Sequence, residues 1–372
     1  MSGIYVHIPF CKSRCIYCGF YSTTLERMQD RYVDALIGEL TLRSDYISSR
    51  VRTIYIGGGT PSVLTEKNMA RLCEALRARG GDGVEEFTVE CNPDDVSEEF
   101  ALMLAGNGVN RVSMGAQTFS DERLKFLRRR HKADDVERAV NALRKAGIGN
   151  ISIDLMFGFP KETLEEWQED LRRAIALNVE HISAYSLMYE EGTPLYSMLE
   201  RGEIEEIDEE VSRGMYDMLI DMLKDAGYEH YEISNFCRPG FHSRHNSSYW
   251  DGTEYLGIGA AAHSYDGDSR QWNISDVKRY TDLLTSGNPS EDYIEEREIL
   301  TETERYNDII TTALRTRRGI DLSAIKEIDR SFLIASAEED IKRNNLILEG
   351  NRLHLTRKGL YISDAVMVNL IK

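Results

Sequence analysis

The chain has 372 residues, 41% hydrophobic and 29% charged, which is the balance of a folded globular protein and excludes a disordered one. Its net charge of −18, with no concentrated basic stripe, argues against nucleic acid as a partner. No apolar run is long enough to span a bilayer and no basic-then-apolar leader opens the sequence, so the cytoplasm is the expected location.

The first strand candidate is Ile4–Ile8, and Cys11-Lys-Ser-Arg-Cys15-Ile-Tyr-Cys18 follows it directly. Clustered cysteines in a large chain without a leader point to a metal or redox centre more than to disulfides. Iron–sulfur cubanes are held by cysteine thiolates, normally four, so three ligands leave one iron open. An open position is what separates a reactive site from a closed structural one. A zinc site would need a fourth ligand. His7 is the nearest, but it lies inside the strand run, where local packing or hydrogen bonding is the simpler role.

A helix follows, with Tyr32, Leu36 and Leu40 on one face, and then the strand candidate Thr53–Ile56, which ends in Gly57-Gly58-Gly59-Thr60-Pro61. The strand candidates Phe87–Glu90, Arg111–Met114, Ile151–Leu155 and His181–Leu187 come next, separated by helical patterns such as Leu164, Trp167, Leu171 and Ile175. Polar residues recur at the carboxyl ends: Glu90, then Gln117 after the fourth strand, then Asp154 in the fifth. Six β-α units imply a parallel sheet curved into a partial or complete barrel. Such barrels assemble their sites on the carboxyl rim, where the cysteine and glycine loops also fall.

After about Gly240 the pattern changes. Residues 241–275 are rich in Gly, His, Ser, Asn and aromatics, a more helical segment starts at Ser275, and Leu346–Leu348 with Arg352–Leu355 reads as a small hairpin. The expected division is therefore an α/β partial (β/α)6-type barrel over 1–235 and a smaller, mainly helical domain over 236–372 with a winged end. Cys73, Cys91 and Cys237 have no spacing partners and read as buried thiols.

Tyr5-Val-His7-Ile-Pro-Phe-Cys11 with its CxxxCxxC loop resembles the opening of radical S-adenosylmethionine (SAM) proteins. The branch resembled is that of oxygen-independent coproporphyrinogen oxidases and HemW-type haem chaperones. The resemblance implies a [4Fe–4S] cluster on Cys11, Cys15 and Cys18 whose open iron takes SAM, and whose electron cleaves SAM to a deoxyadenosyl radical. It also implies that the Gly58, Gly59 and Thr60 backbone receives SAM's amino group. Glu90, Gln117, Arg129 and Asp154 would contact SAM, and Tyr5 and Tyr17 would lie near the cluster and adenine. Arg128 and Arg130, in the same Arg-Arg-Arg-His131 run, fit a solvated helix end. Late in the chain, His245-Asn-Ser-Ser-Tyr249-Trp250 and Tyr255-Leu-Gly-Ile-Gly-Ala260 with Ala262-His263-Ser264 resemble the same branch and offer His245 and His263 as haem contacts.

Two departures separate the members of the branch. The oxidases have a fourth cysteine where this chain has Phe20, and a longer extension than the ten residues before Cys11. Both features match the haem chaperones, which bind haem and deliver it to apoproteins without decarboxylating coproporphyrinogen. The oxidase, or another radical enzyme acting on haem, is the alternative. A third departure is Ala260-Ala-Ala262, where glycines are more usual. The resemblance further implies self-association linked to the cluster and admits a membrane-protein acceptor.

Overall fold

The structure, a computed structural model, describes residues 2–286 and 290–372. Six strands pair in parallel in chain order: β1 (Ser2–Ile8), β2 (Val51–Gly58), β3 (Glu86–Cys91), β4 (Arg111–Gln117), β5 (Asn150–Phe157) and β6 (His181–Ser186). Each contains the strand expected from sequence except at the end of the sixth, where Leu187 falls just outside. Their period of two divides the faces. Ile4, Val6 and Ile8 are fully buried toward the helices, with Tyr32, Leu36 and Leu40 among the neighbours in that core. Tyr5 and His7, the alternate residues, turn to the concave side and meet Tyr55 of β2 and the Tyr21 backbone.

The sheet continues beyond both ends of this barrel. The hairpin β7 (Glu229–Glu232) and β8 (Asn235–Cys237) joins β6 antiparallel. On the other side β9 (Glu254–Ile258) pairs parallel with β1, and β10 (His263–Tyr265), β11 (Ser269–Asn273) and β12 (Ile294–Ile299) follow antiparallel. One twelve-stranded sheet results, open at β12 and β7. The boundary expected after residue 235 falls inside it, because Leu256, Ile258, Val277 and Tyr293 belong to the barrel's own core.

The helix Arg244–Trp250 closes the amino end of the barrel. Its first N–H groups, those of Arg244 and His245, donate to the Glu86 carboxylate at 2.8 and 2.9 Å. A carboxylate at a helix N-terminus satisfies donors that have no partner within the helix. A second core, from Tyr306 to Leu370, joins the helices Glu302–Ala313, Glu327–Lys342 and Ser363–Leu370. The expected hairpin is there as β14 (Leu346–Glu349) and β15 (Arg352–Leu355), with β13 (Ile320–Asp321) as an unforeseen third strand.

Candidate cluster and cofactor site

The cysteine loop leaves the carboxyl end of β1 and is tied down by its backbone. The Cys11 N–H donates to the Thr23 carbonyl at 2.9 Å, and Thr23 N–H to that of Pro9 at 2.7 Å. The glycine loop after β2 packs directly against it, with the Gly59 N–H donating to the Ile8 carbonyl at 2.8 Å. A Cβ on Gly59 would stand 2.9 Å from the Phe10 carbonyl oxygen and 3.0 Å from Cys11 Sγ. Glycine is therefore required for the two loops to touch. Thr60 Oγ1 lies 3.4 Å from the same sulfur.

Arg129 lies half-buried beside this loop. Its Nη1 donates to Cys15 Sγ at 3.6 Å, and Nη2 to the Gly115 carbonyl at 2.7 Å and to Asn92 Oδ1. Its Nε–H has no partner among the described residues, so the half-buried guanidinium keeps one donor for an anionic ligand. Gln117 comes to the same place: a Cβ on Gly115 would meet Gln117 Nε2 at 2.5 Å and Arg129 Nη2 at 2.9 Å. Gln117 itself has φ of 65°, a left-handed backbone uncommon outside glycine that often marks a functional position. Tyr17 packs between this region and a small apolar cluster with Ile16 and Leu127, and its hydroxyl pKa is raised by burial.

Glu90, at the end of β3, accepts from the Tyr55 hydroxyl at 2.7 Å and from Gly58 N–H at 3.1 Å. Burial nonetheless pushes its carboxyl up to about 7, with the Asp154 carboxylate adding to the effect. Asp154 is also raised by burial and receives the Ser113 hydroxyl at 3.5 Å. Tyr5 donates to His7 Nδ1 at 3.0 Å, while His7 Nε2–H donates to the Tyr21 carbonyl at 3.0 Å. Both His7 nitrogens are thus committed, and it is no fourth ligand.

The donor set fits a cluster better than a single ion. Burial pushes the Cys11 and Cys18 thiols up, so they remain protonated until a metal displaces the proton. Among the described residues one trio, Glu229, Cys237 and His242, has all its ligand atoms within 4.8 Å. The three loop thiols are spread more widely than that, and a tetrahedral zinc with Zn–S bonds of about 2.3 Å would not accept such spacing.

The structure separates the two late histidines. His245 is buried, with Nδ1 hydrogen-bonded to Thr53 Oγ1 and Nε2 to the Tyr249 hydroxyl, each at 2.9 Å. Burial holds its imidazole at about 3, so it is neutral with no free nitrogen. His263 is exposed, makes no side-chain hydrogen bond among the described residues, and stacks on Trp272 with ring centroids 5.6 Å apart. The YLGIG segment between them is tethered from behind: Gly259 N–H donates to Glu39 and Ala260 N–H to the Tyr32 hydroxyl, both at 2.9 Å.

Sequence reasoning missed Asn92 and Tyr55, which position Arg129 and Glu90. Both carry a readable signal. Asn92 is a polar residue immediately past a strand end, and Tyr55 shares the inward parity of Gly57 on β2.

The pattern of the radical SAM superfamily matches residues 5–174. The heme chaperone HemW of Lactococcus lactis is 36% identical over 98% of this chain and 96% of its own length. That of Bacillus subtilis is 35% identical over 98% of both. Among solved structures, the radical SAM enzyme coproporphyrinogen III oxidase (HemN) of Escherichia coli superposes with a TM-score of 0.83 at 23% identity, over 100% of this chain and 90% of that one, which establishes the shared fold. With its barrel, its cysteine rim and relatives alike from end to end, the chain belongs to the HemW family of the radical SAM superfamily.

Proposed function

We propose that the protein is a haem chaperone that carries a [4Fe–4S] cluster with SAM on its cysteine rim and passes haem to apoproteins. The observation that carries this reading is the end-to-end likeness to proteins named heme chaperone HemW. Phe20 supports it: 69% exposed beside the cluster loop, it supplies no sulfur where the oxidases resembled have a cysteine.

When bound, the cluster supplies the single electron that cleaves the SAM sulfonium. The chain does the holding. The unpartnered Nε–H of Arg129 is set to receive SAM's carboxylate, with Gln117 beside it. The Gly58-Gly59-Thr60 backbone can approach the amino group closely because no Cβ intervenes. Glu90 and Asp154 are acceptors for ribose hydroxyls, and Tyr5 and Tyr17 line the approach to cluster and adenine. In this reading the protein works in the cytoplasm, its range of haem acceptors admits a membrane protein, and self-association is linked to the cluster. Among the described residues no helix is long and apolar enough to cross a membrane.

The test is an anaerobic assay of cluster-loaded protein with SAM, a reductant and coproporphyrinogen III, beside a haem titration. The expected result is near four irons per chain, stoichiometric haem binding and no decarboxylated product. Cluster content should be lost on replacing Cys11, Cys15 or Cys18 by Ala. Multiple-turnover formation of protoporphyrinogen would replace the chaperone by the oxidase.

A further inference from the structure

A cavity of about 1410 Å³ lies between the plugged amino end of the barrel, the inner face of β9–β11 and the small C-terminal unit. That is more than ordinary small-molecule pockets of roughly 300–1,000 Å³ need. One wall is aromatic, made by Tyr249, Trp250, Tyr255 and Tyr265, with Tyr249 set edge-on to Tyr255 at 4.9 Å. The helix Glu302–Ala313 faces it with Ile309, Thr312 and Ala313.

Charge at this cavity runs against the whole molecule. In a chain of net charge −18, six arginines line it. Arg244, Arg270, Arg305 and Arg352 are each paired with a carboxylate, those of Glu85, Asp308, Asp268 and Asp321. Arg317 and Arg318 are exposed, and among the described residues no hydrogen bond or ion pair holds either guanidinium, although Arg318 acts electrostatically on Asp321 and Arg317 on His230. Three histidines also line the cavity. His230 is bonded to the Ile233 carbonyl at 3.2 Å and stacked on Phe236, and His242 Nε2 lies 3.5 Å from Glu229. His263 alone of the three has both ring nitrogens without a partner among the described residues, and the stacked Trp272 orients its ring.

We infer that this cavity is the haem seat, with the macrocycle against the tyrosine–tryptophan wall, His263 as the axial imidazole and the two propionates on Arg317 and Arg318. The inference deepens the chaperone reading and rests on it. It matches a ligand that is flat and apolar, carries a metal with a free axial position and bears two carboxylates on one edge. The lining of this cavity is also distinct from that of the cluster rim. Tyr255 pairs with Gly3 near the amino end of β1, five strand steps or roughly 16 Å from Ile8, where the cysteine loop leaves, while His263 lies nearer that rim, against Gly257, the partner of Tyr5. Tyr5, Tyr55 and His245 fill the space between, and none of Cys11, Glu90, Gln117, Arg129 or Asp154 lines the cavity.

The test titrates haem into full-length, cluster-loaded protein under anaerobic conditions and reads affinity and the axial ligand by absorption and resonance Raman spectra. Iron content per chain reports that each variant is folded. His263→Ala should weaken haem at least tenfold and remove the imidazole signature, while His242→Ala leaves both unchanged. Arg317→Ala with Arg318→Ala should weaken haem about tenfold and bring it level with haem dimethyl ester, which lacks the carboxylates. On the unaltered protein the ester should already bind about tenfold less tightly, an arm that needs no variant. Failure of the unaltered protein to bind haem would overturn the chaperone reading beneath the inference. Normal haem binding with His263→Ala and the arginine pair both silent, or an imidazole signature lost in His242→Ala instead, would overturn the seat alone.

Discussion

Glu90 ionises near neutrality, and that has a sign that can be measured. Its folded value of about 7 stands above the ordinary value of 4.5, because burial disfavours the carboxylate. The unfolded chain therefore releases this proton first, so the contribution to stability falls as pH rises from about 4.5 to 7 and is flat above. Glu90→Gln removes the loss. Its stability relative to the parent should improve by roughly 2–3 kcal/mol between pH 4.5 and 8. Urea unfolding of the cluster-free protein at both pH values measures this, and a difference that shrinks toward high pH would refute it. Legibility at this scale followed spacing. Cys11, Cys15 and Cys18 are readable because their chemistry is local in sequence. Asn92 gains its role only from Arg129, thirty-seven residues later, and Arg317 only from the cavity the fold assembles.

Among the elements, the six parallel strands were legible because both faces are covered and they read as short β-branched runs. The strands missed were of another kind. In β12 the sequence Ile294-Glu-Glu-Arg-Glu-Ile299 shows no alternation, because an edge strand exposed on most positions needs none. The hairpin β7–β8 is only four and three residues long, below the reach of a periodicity argument. The loop after β9 shows why glycine is usual at the middle one of the three alanines that depart from the family pattern. Ala261 has φ of 61°, a conformation that costs a residue with a Cβ about 1 kcal/mol and glycine little. Ala261→Gly should raise the urea midpoint, by the equivalent of about 0.5–1 kcal/mol. A lower midpoint would mean that the loop is not strained there.

On the scale of the whole molecule, two cores share one chain, and their contact is mostly polar. The segment 315–317 is stitched to β7 by backbone bonds of 3.0 Å, from Ile233 N–H to Arg315 and from Arg317 N–H to Tyr231. Arg357 clamps Asp217 and Asp221 on the barrel's last long helix. These groups are largely solvent-exposed, so Arg357→Ala should move the unfolding midpoint by less than about 1 kcal/mol. It should instead speed proteolytic nicking between the cores, around residues 300–306, several-fold. Equal digestion rates for variant and parent would show that Arg357 is not a latch. The sheet runs across the boundary expected at 235 for a related reason. Residues 241–275 lose periodicity because they plug and extend the barrel, and irregular sequence there marks a joint within one unit.

The open sheet also bears on how copies of this protein meet. Its terminal strand β12 offers a free row of backbone donors and acceptors, yet Glu295, Glu296 and Glu298 crowd four residues of it around one Arg297. Two such edges laid side by side would set like charges opposite one another, a repulsion that grows as salt is withdrawn. The sheet thus carries its own guard against running on from molecule to molecule as a fibre, and leaves association to other faces.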